Sequence, residues 1–331
     1  MASLDALAKV LPVLLLIGLG AAFRRTDFLR PGTVDDLRRL VLDLTLPAAL
    51  FLTFLRVTLE AQYALLVVSV LAACVVVFAG GLLAVRFAGV RPAVAPGLLA
   101  GFEGGMIGYA IYAAVFGQEE LYRFAILDLG QMPFVFFVLA TWLTRRASGR
   151  AATFRDAGLA FVRTPVVLAI VAGIAGSALG LAPAIEASPI GEAALRTLGL
   201  VAAMTTPVIA IVIGYSTRLR RGSLGAPLAT VAARLTLWVT AALVFNAVVV
   251  DGLLGLDRLF QAAVLTLAIL PPPFVVPLYL RAAAPRAAPG EAATAAGAVA
   301  AAEHEYAVNT LSLATVATLV AFVAVSVAFA A

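Results

Sequence analysis

The sequence predicts an all-α polytopic membrane protein, with ten transmembrane helices arranged as two inverted five-helix repeats and broken crossover helices at positions four and nine. Three observations carry this. The 331 residues are 63% hydrophobic and only 12% charged, with a mean hydropathy of +1.07, where soluble domains carry about 25% charged residues. The arginines fall in alternate loops. Two apolar segments are interrupted at corresponding places: Gly-Phe-Glu-Gly-Gly-Met-Ile-Gly at 101–108, and Leu-Pro-Pro-Pro-Phe-Val-Val-Pro at 270–277.

At about 20 apolar residues per span, the expected helices are 10–23, 40–55, 62–85, 94–116, 124–143, 165–181, 197–215, 227–250, 259–280 and 307–330. The first also fits a cleaved signal peptide, with Lys9, an apolar core and Gly20-Ala21-Ala22. Its loss would break the match between halves, so its retention is expected. The loops after odd-numbered helices hold most of the arginines: Arg24, Arg25, Arg30, Arg38 and Arg39; Arg86 and Arg91; Arg145, Arg146, Arg150, Arg155 and Arg163; Arg218, Arg220 and Arg221; Arg281 and Arg286. The loops after even-numbered helices hold Arg56, Arg123, Arg196 and Arg258. Positive loops stay in the cytoplasm, which puts both termini on the non-cytoplasmic side of an inner or plasma membrane.

Residues 147–163 read as a cytoplasmic linker between a first repeat, 1–146, and a second, 164–331. An odd number of helices per half inverts the second half. Pro12 and Pro165 open the first and sixth helices, and Pro47 and Pro207 lie midway along the second and seventh. The Ala/Pro/Gly-rich stretch 282–305 reads as a flexible cytoplasmic loop. The net charge of +5 is spent on topology in short loops, so nucleic acid is not an expected partner. The single cysteine, Cys74, lies in an apolar run and excludes an intrachain disulfide.

A broken helix exposes backbone groups that lipid cannot satisfy, so the break must face protein or a watery cavity. Half-helix N-termini suit a carboxylate and the opposite carbonyl ends suit a cation. The candidate substrate-binding and crossover residues are therefore Glu103, Gly104, Gly105, Gly108, Pro271, Pro272 and Pro273. Glu103 is costly at that depth, roughly 2.5–3.5 kcal/mol, and can take up a proton or bind a cation. The glycines also fit plain close packing. Asp128 and Arg234 complete a candidate polar network with Glu103. For Asp128 an ion pair with Arg123 or Arg234 is the competing reading, and for Arg234 snorkelling to the surface is the preferred one. Asp43 reads as a surface partner of Arg39. Asn246, Asn309, Thr310 and Ser312 read as cavity-lining or helix-bridging, and His304 as solvated in a loop. No His-Glu-x-x-His or phosphate loop is present, and one histidine with one cysteine makes no metal cluster. Neither an enzyme nor a cofactor or metal is expected.

In order along the chain, Leu11-Pro12-Val13, Gly18-Leu19-Gly20, Leu40-Val41, Leu46-Pro47-Ala48, Leu50-Phe51, Gly105-Met-Ile-Gly108, Phe116-Gly117 and Asp128 are followed by a second series. It comprises Thr164-Pro165, Thr206-Pro207, Ile213-Gly214-Tyr215-Ser216, Arg234 and Leu270-Pro271. This arrangement resembles the auxin efflux carrier family of the bile acid/auxin-type transporter superfamily, and the resemblance covers the whole chain. It implies scaffold and transport domains, each built from both repeats, with the fourth and ninth helices crossing at the substrate site. Transport by rocking or elevator motion of one domain against the other follows. The chain departs from the family where Asn-Thr-Gly is usual, having Glu103-Gly104-Gly105, and again at Tyr109-Ala110 and at Pro272-Pro273-Phe274-Val275.

The expected function is secondary active transport of a small organic acid, a carboxylate, dicarboxylate or auxin-like weak acid, coupled to H+. A Na+-coupled bile-acid-type symporter and a ligand-sensing membrane module without net transport stay open. The partners are the small anion or weak acid and the lipid bilayer, with a homodimer left open.

Overall fold

A computed structural model describes residues 2–88, 92–148, 154–218, 224–283 and 295–329, and every element among them is helical. The first half contains α1 (Ala2–Arg25), α2 (Pro31–Leu40), α3 (Leu46–Arg56), α4 (Tyr63–Ala88), α5 (Ala95–Leu99), α6 (Tyr109–Phe116), α7 (Leu121–Pro133) and α8 (Ala140–Ser148). The second contains α9 (Phe154–Val162), α10 (Pro165–Ala178), α11 (Leu181–Glu186), α12 (Pro189–Ala203), α13 (Thr205–Ser216), α14 (Gly225–Phe245), α15 (Arg258–Ile269), α16 (Val275–Ala283) and α17 (Ala295–Phe329). Four π-helical stretches interrupt this pattern, at Val41–Thr45, Gly104–Gly108, Phe134–Leu139 and Asn246–Leu253. The first lies just ahead of Pro47, which has no N–H to give to residue 43. The Leu46 N–H reaches back to the Val41 carbonyl instead.

Six helices are long and apolar enough to cross a bilayer: Tyr63–Phe87, Ala95–Phe116, Leu121–Arg146, Pro189–Ser216, Gly225–Leu253 and Ala298–Phe329. A seventh arises if the bent pair Arg155–Val162 and Pro165–Ala178 is one span. This is compatible with a multi-pass membrane protein. The other three expected spans, 10–23, 40–55 and 259–280, fall on α1, on the α2–α3 stretch and on the α15/α16 pair, which are not among the six or seven.

Two expected loops are partly helical. Residues 154–162 of the linker form α9, whose Phe161 meets Phe136 and Phe137 edge-on or tilted at 5.5 and 5.8 Å. Burying that aromatic face outweighs the polarity of the flanks. The bend of 62° into α10 comes at Thr164, held extended by the proline that follows it. Residues 295–305, read as flexible, begin α17 because alanine is the strongest helix former. Residues 149–153 and 284–294 lie outside the described residues, as do Arg91, Arg150, Arg220, Arg221 and Arg286.

The helices pack in matched pairs. α1 lies along α13 and α3 along α10, while α4 packs on α5 and α7, and α14 on α15 and α17. α1 and α13 touch backbone to backbone: a Cβ on Gly20 would strike the Ile211 carbonyl, and one on Gly214 the Ile17 carbonyl. The core runs through the α5–α7 and α15 region, where Tyr109, Tyr112, Phe124, Phe134 and Phe260 are almost fully buried.

Candidate functional site

Both interrupted segments are broken, and the breaks meet. α5 stops at Leu99, and the chain runs without helix to Glu103, with Gly101 in the left-handed region at φ +74°. An L side chain rarely adopts that conformation. α15 stops at Ile269, Leu270 turns extended, and Pro271–Pro273 carry no N–H with which to continue a helix before α16 begins at Val275. The Glu103 N–H donates to the Pro271 carbonyl at 2.9 Å, joining one break to the other.

The Glu103 side chain joins them again. One carboxylate oxygen accepts the Met106 N–H at 3.3 Å and caps the Gly104–Gly108 turn leading into α6. The other accepts the Phe274 N–H at 2.7 Å, one residue ahead of α16. A single carboxylate thus occupies the N-terminal, partially positive ends of both downstream half-helices.

Arg234 does the reverse at the upstream ends. Its guanidinium donates to the carbonyls of Leu98 (3.1 Å), Leu99 (2.7 Å), Gly101 (2.5 Å) and Leu270 (3.1 and 3.2 Å). It also lies 5.0 Å from the Phe102 ring centroid. The residue is 1% exposed, so the expected snorkelling is corrected. Four orphan carbonyls from two broken helices give the charge a better-matched partner than a distant membrane surface. Trp238, one turn further along α14, donates to the Leu99 carbonyl at 2.8 Å, and Thr318 of α17 donates to Ile269 at 2.5 Å.

Asp128 is also buried, at 1% exposure, and pairs with neither expected arginine. It accepts from Tyr109 Oη at 3.0 Å and from Gln131 Nε2 at 2.7 Å. Arg123 turns instead to Glu120 and Asp257. Gln131 clamps Phe102 with both ends of its amide, accepting the N–H and donating to the carbonyl at 3.0 Å each. The extended backbone of the first break is therefore satisfied by side chains, as buried backbone requires.

The expected glycines divide. A Cβ on Gly104 would collide with the Asp128 carboxylate and one on Gly108 with Phe124, so close packing is the role of these two. At Gly105 an added Cβ meets only ordinary contacts, 3.7 Å from Leu42, and the residue lines a cavity. Gly104→Ala should consequently lower stability by about 1–3 kcal/mol, whereas Gly105→Ala should leave it almost unchanged. Thermal unfolding of both variants in detergent checks this, and equal midpoints would refute the division. Pro272 is buried in the second break and Pro273 borders the same cavity as Gly105.

Two cavities flank the crossing. One of about 530 Å³ is bordered by Glu103, Asp128, Gln131, Thr144, Asp156 and Tyr279. Another of about 510 Å³ is bordered by Arg38, Glu103, Ser216, Phe274, His304 and Ser312. Glu103 belongs to both. His304 is not in a loop: it stands in α17 with Nδ1 3.2 Å from the Pro277 carbonyl. Asn246 bridges to Gln261 of α15, as expected, and Ser312 borders the second cavity and bonds the Arg218 backbone just past α13, whereas Thr310 bonds within its own helix. Asp43 sits 4.0 Å from Arg39 in a surface pair, also as expected.

Tyr109, Gln131, Trp238, Thr318 and Arg38 were not among the sequence-predicted site residues. Gln131 is three positions from Asp128 and Trp238 four from Arg234, so helical spacing was a usable signal for both. Thr318 and Arg38 carry no such local signal. A scan against protein-family models and a search of curated proteins each returned no match for this chain.

Proposed function

We propose that this chain is a secondary active transporter of a small organic acid, of the auxin efflux carrier type, coupled to H+ through Glu103. In this reading ten helices cross an inner or plasma membrane with both termini outside. Residues 1–146 and 164–331 are inverted repeats about the 147–163 linker. The observation that carries the reading is the placement of Glu103, whose carboxylate holds an N–H from each of two broken helices at once. Paired broken helices from two halves are the usual marker of a transporter's site.

The packing supports the repeat. Exchanging the halves turns the α1–α13 pair into α10–α3, the α4–α7 pair into α14–α17, and α4–α5 into α14–α15. The α1, α3, α10 and α13 group then serves as scaffold, and α4–α8 with α14–α17 as the moving domain. Both cavities fall within the roughly 300–1,000 Å³ of small-molecule sites. The acid class follows from the family that the motifs resemble.

Mechanistically, ionised Glu103 accepts both N–H groups and ties the two breaks together. Protonation gives one of its oxygens a hydrogen and weakens it as an acceptor, freeing a half-helix N-terminus to move. The test is uptake of labelled succinate and of labelled benzoate into proteoliposomes under an imposed pH gradient. Flux that rises with the gradient is expected. Flux that follows Na+ and ignores pH would reassign the coupling ion, and absence of flux with either ion gradient would remove the transport reading.

A further inference from the structure

We infer that the substrate carboxylate does not bind at the helix crossing but pairs with Arg38, in the cavity of about 510 Å³ on the α2–α13–α17 side of Glu103. This rests on the transport reading for its biological meaning but not for its geometry. The N–H groups that would hold a substrate anion at the crossing are already taken by Glu103. A second carboxylate there would face both like-charge repulsion and a lack of donors. The same cavity offers a cation a short way off.

Arg38 stands near the end of α2. Its Nη1 donates to the exposed Asp35 carboxylate at 3.1 Å and its Nη2 to Ser216 Oγ at 3.3 Å. Its Nε is buried and has no hydrogen-bond partner among the described residues. Guanidinium recognises carboxylate side-on with two parallel N–H groups, and the unsatisfied Nε, out of solvent contact as it stands, completes such a fork once the side chain turns toward the cavity. Leu42, Met106 and Phe274 supply apolar wall to the same cavity, while the Ser312 and Thr315 hydroxyls that also border it give their hydrogens to the Arg218 and Leu311 carbonyls. A guanidinium and an apolar wall suit a carboxylate on a hydrocarbon or aromatic body.

Such an acid would share its cavity with Glu103. The ionisable groups around Glu103 are Arg38 from α2, Asp128 from α7 with Tyr109 of α6 bonded to it, and His304 from α17; Asp156 of α9 and Tyr279 of α16 border the other cavity. Arg38 is the one fixed cation bordering either cavity among the described residues. Accommodating a second negative charge beside Glu103 favours the protonated form of Glu103, so the acid and a proton bind together.

The experiment measures binding apart from transport. Acetate, succinate, benzoate and phenylacetate are titrated onto purified full-length protein in detergent, reading thermal unfolding midpoints at about pH 6 and about pH 8. At least one acid is expected to raise the midpoint, more strongly at the lower pH. Arg38→Gln should weaken that acid about tenfold or more, Arg38→Lys should retain part of the affinity, and Arg39→Gln should behave as wild type. Glu103→Gln should still bind but lose the pH dependence. If none of the four acids stabilises the wild type, or if a folded Arg38→Gln or Arg38→Lys protein binds as tightly as wild type with no loss in either, the subsite is refuted. The transport reading fails separately: binding at Arg38 without flux in proteoliposomes sinks transport alone, and flux undiminished by Arg38→Gln sinks the subsite alone.

Discussion

Arg234→Met is expected to abolish recovery of monodisperse protein, or to lower the unfolding midpoint more than any other single substitution named here. The guanidinium closes the carbonyl ends of α5 and α15 at once, through Leu98, Leu99, Gly101 and Leu270. Methionine fills much of the volume but donates nothing, leaving the Leu98, Gly101 and Leu270 carbonyls without their donor, while Leu99 keeps Trp238. Each orphan costs about 1–3 kcal/mol, although the losses do not simply add. Breaking a buried charged cluster by removing one side typically costs about 3–5 kcal/mol, a large share of a stability of about 5–15 kcal/mol. Arg234→Lys keeps the charge but not the planar fork, and an ammonium has three N–H groups where the guanidinium makes five bonds to four carbonyls, so it should rescue only in part. Size-exclusion profiles and unfolding midpoints in detergent decide the matter. A methionine variant as stable as wild type would mean that the break is held by something else.

Glu103→Gln is expected to leave the protein folded and to remove the effect of a pH gradient on flux. Glutamine keeps an acceptor for the Phe274 or Met106 N–H, so the junction of the breaks survives. What it cannot do is exchange a proton. With one coupled proton, a gradient of one pH unit drives up to about tenfold accumulation, since a pH unit is worth about 1.36 kcal/mol. The variant should equilibrate substrate without accumulating it. Glu103→Ala, which loses the acceptors as well, should be destabilised besides. Comparison of the final inside-to-outside ratio of labelled acid in wild-type and Glu103→Gln proteoliposomes is the measurement. An unchanged ratio would move the coupling proton to another group, with Asp128 the next buried carboxylate.

The breaks were legible because glycine and proline act through the backbone, and backbone consequences are local. Gly101, Pro271, Pro272 and Pro273 interrupt their helices whatever surrounds them, and Glu103 among glycines marks itself by its cost in a membrane. Asp128 and Arg234 were legible as buried polar residues worth explaining, but their partners were not. An ion pair is the simplest expectation for two opposite charges. The fold instead gives each its own set of neutral partners, with Arg234 on carbonyls and Asp128 on Tyr109 and Gln131. The alanine-rich stretch before His304 reads as linker by composition, yet alanine is equally the best helix former, and α17 extends through it.

Composition and hydropathy were enough to predict a helical chain with several segments long and apolar enough to cross a membrane, and local backbone chemistry was enough to place two breaks in it. Those conclusions depend on what each residue does to its own few neighbours in sequence. Which side chain answers which orphan backbone group was settled in three dimensions, because the partners lie far apart in the chain: Glu103 and Phe274 are 171 residues apart, and Arg234 and Leu99 are 135 apart. A carbonyl left open by a broken helix specifies only that some donor must come to it, and close packing of distant helices chose the donor.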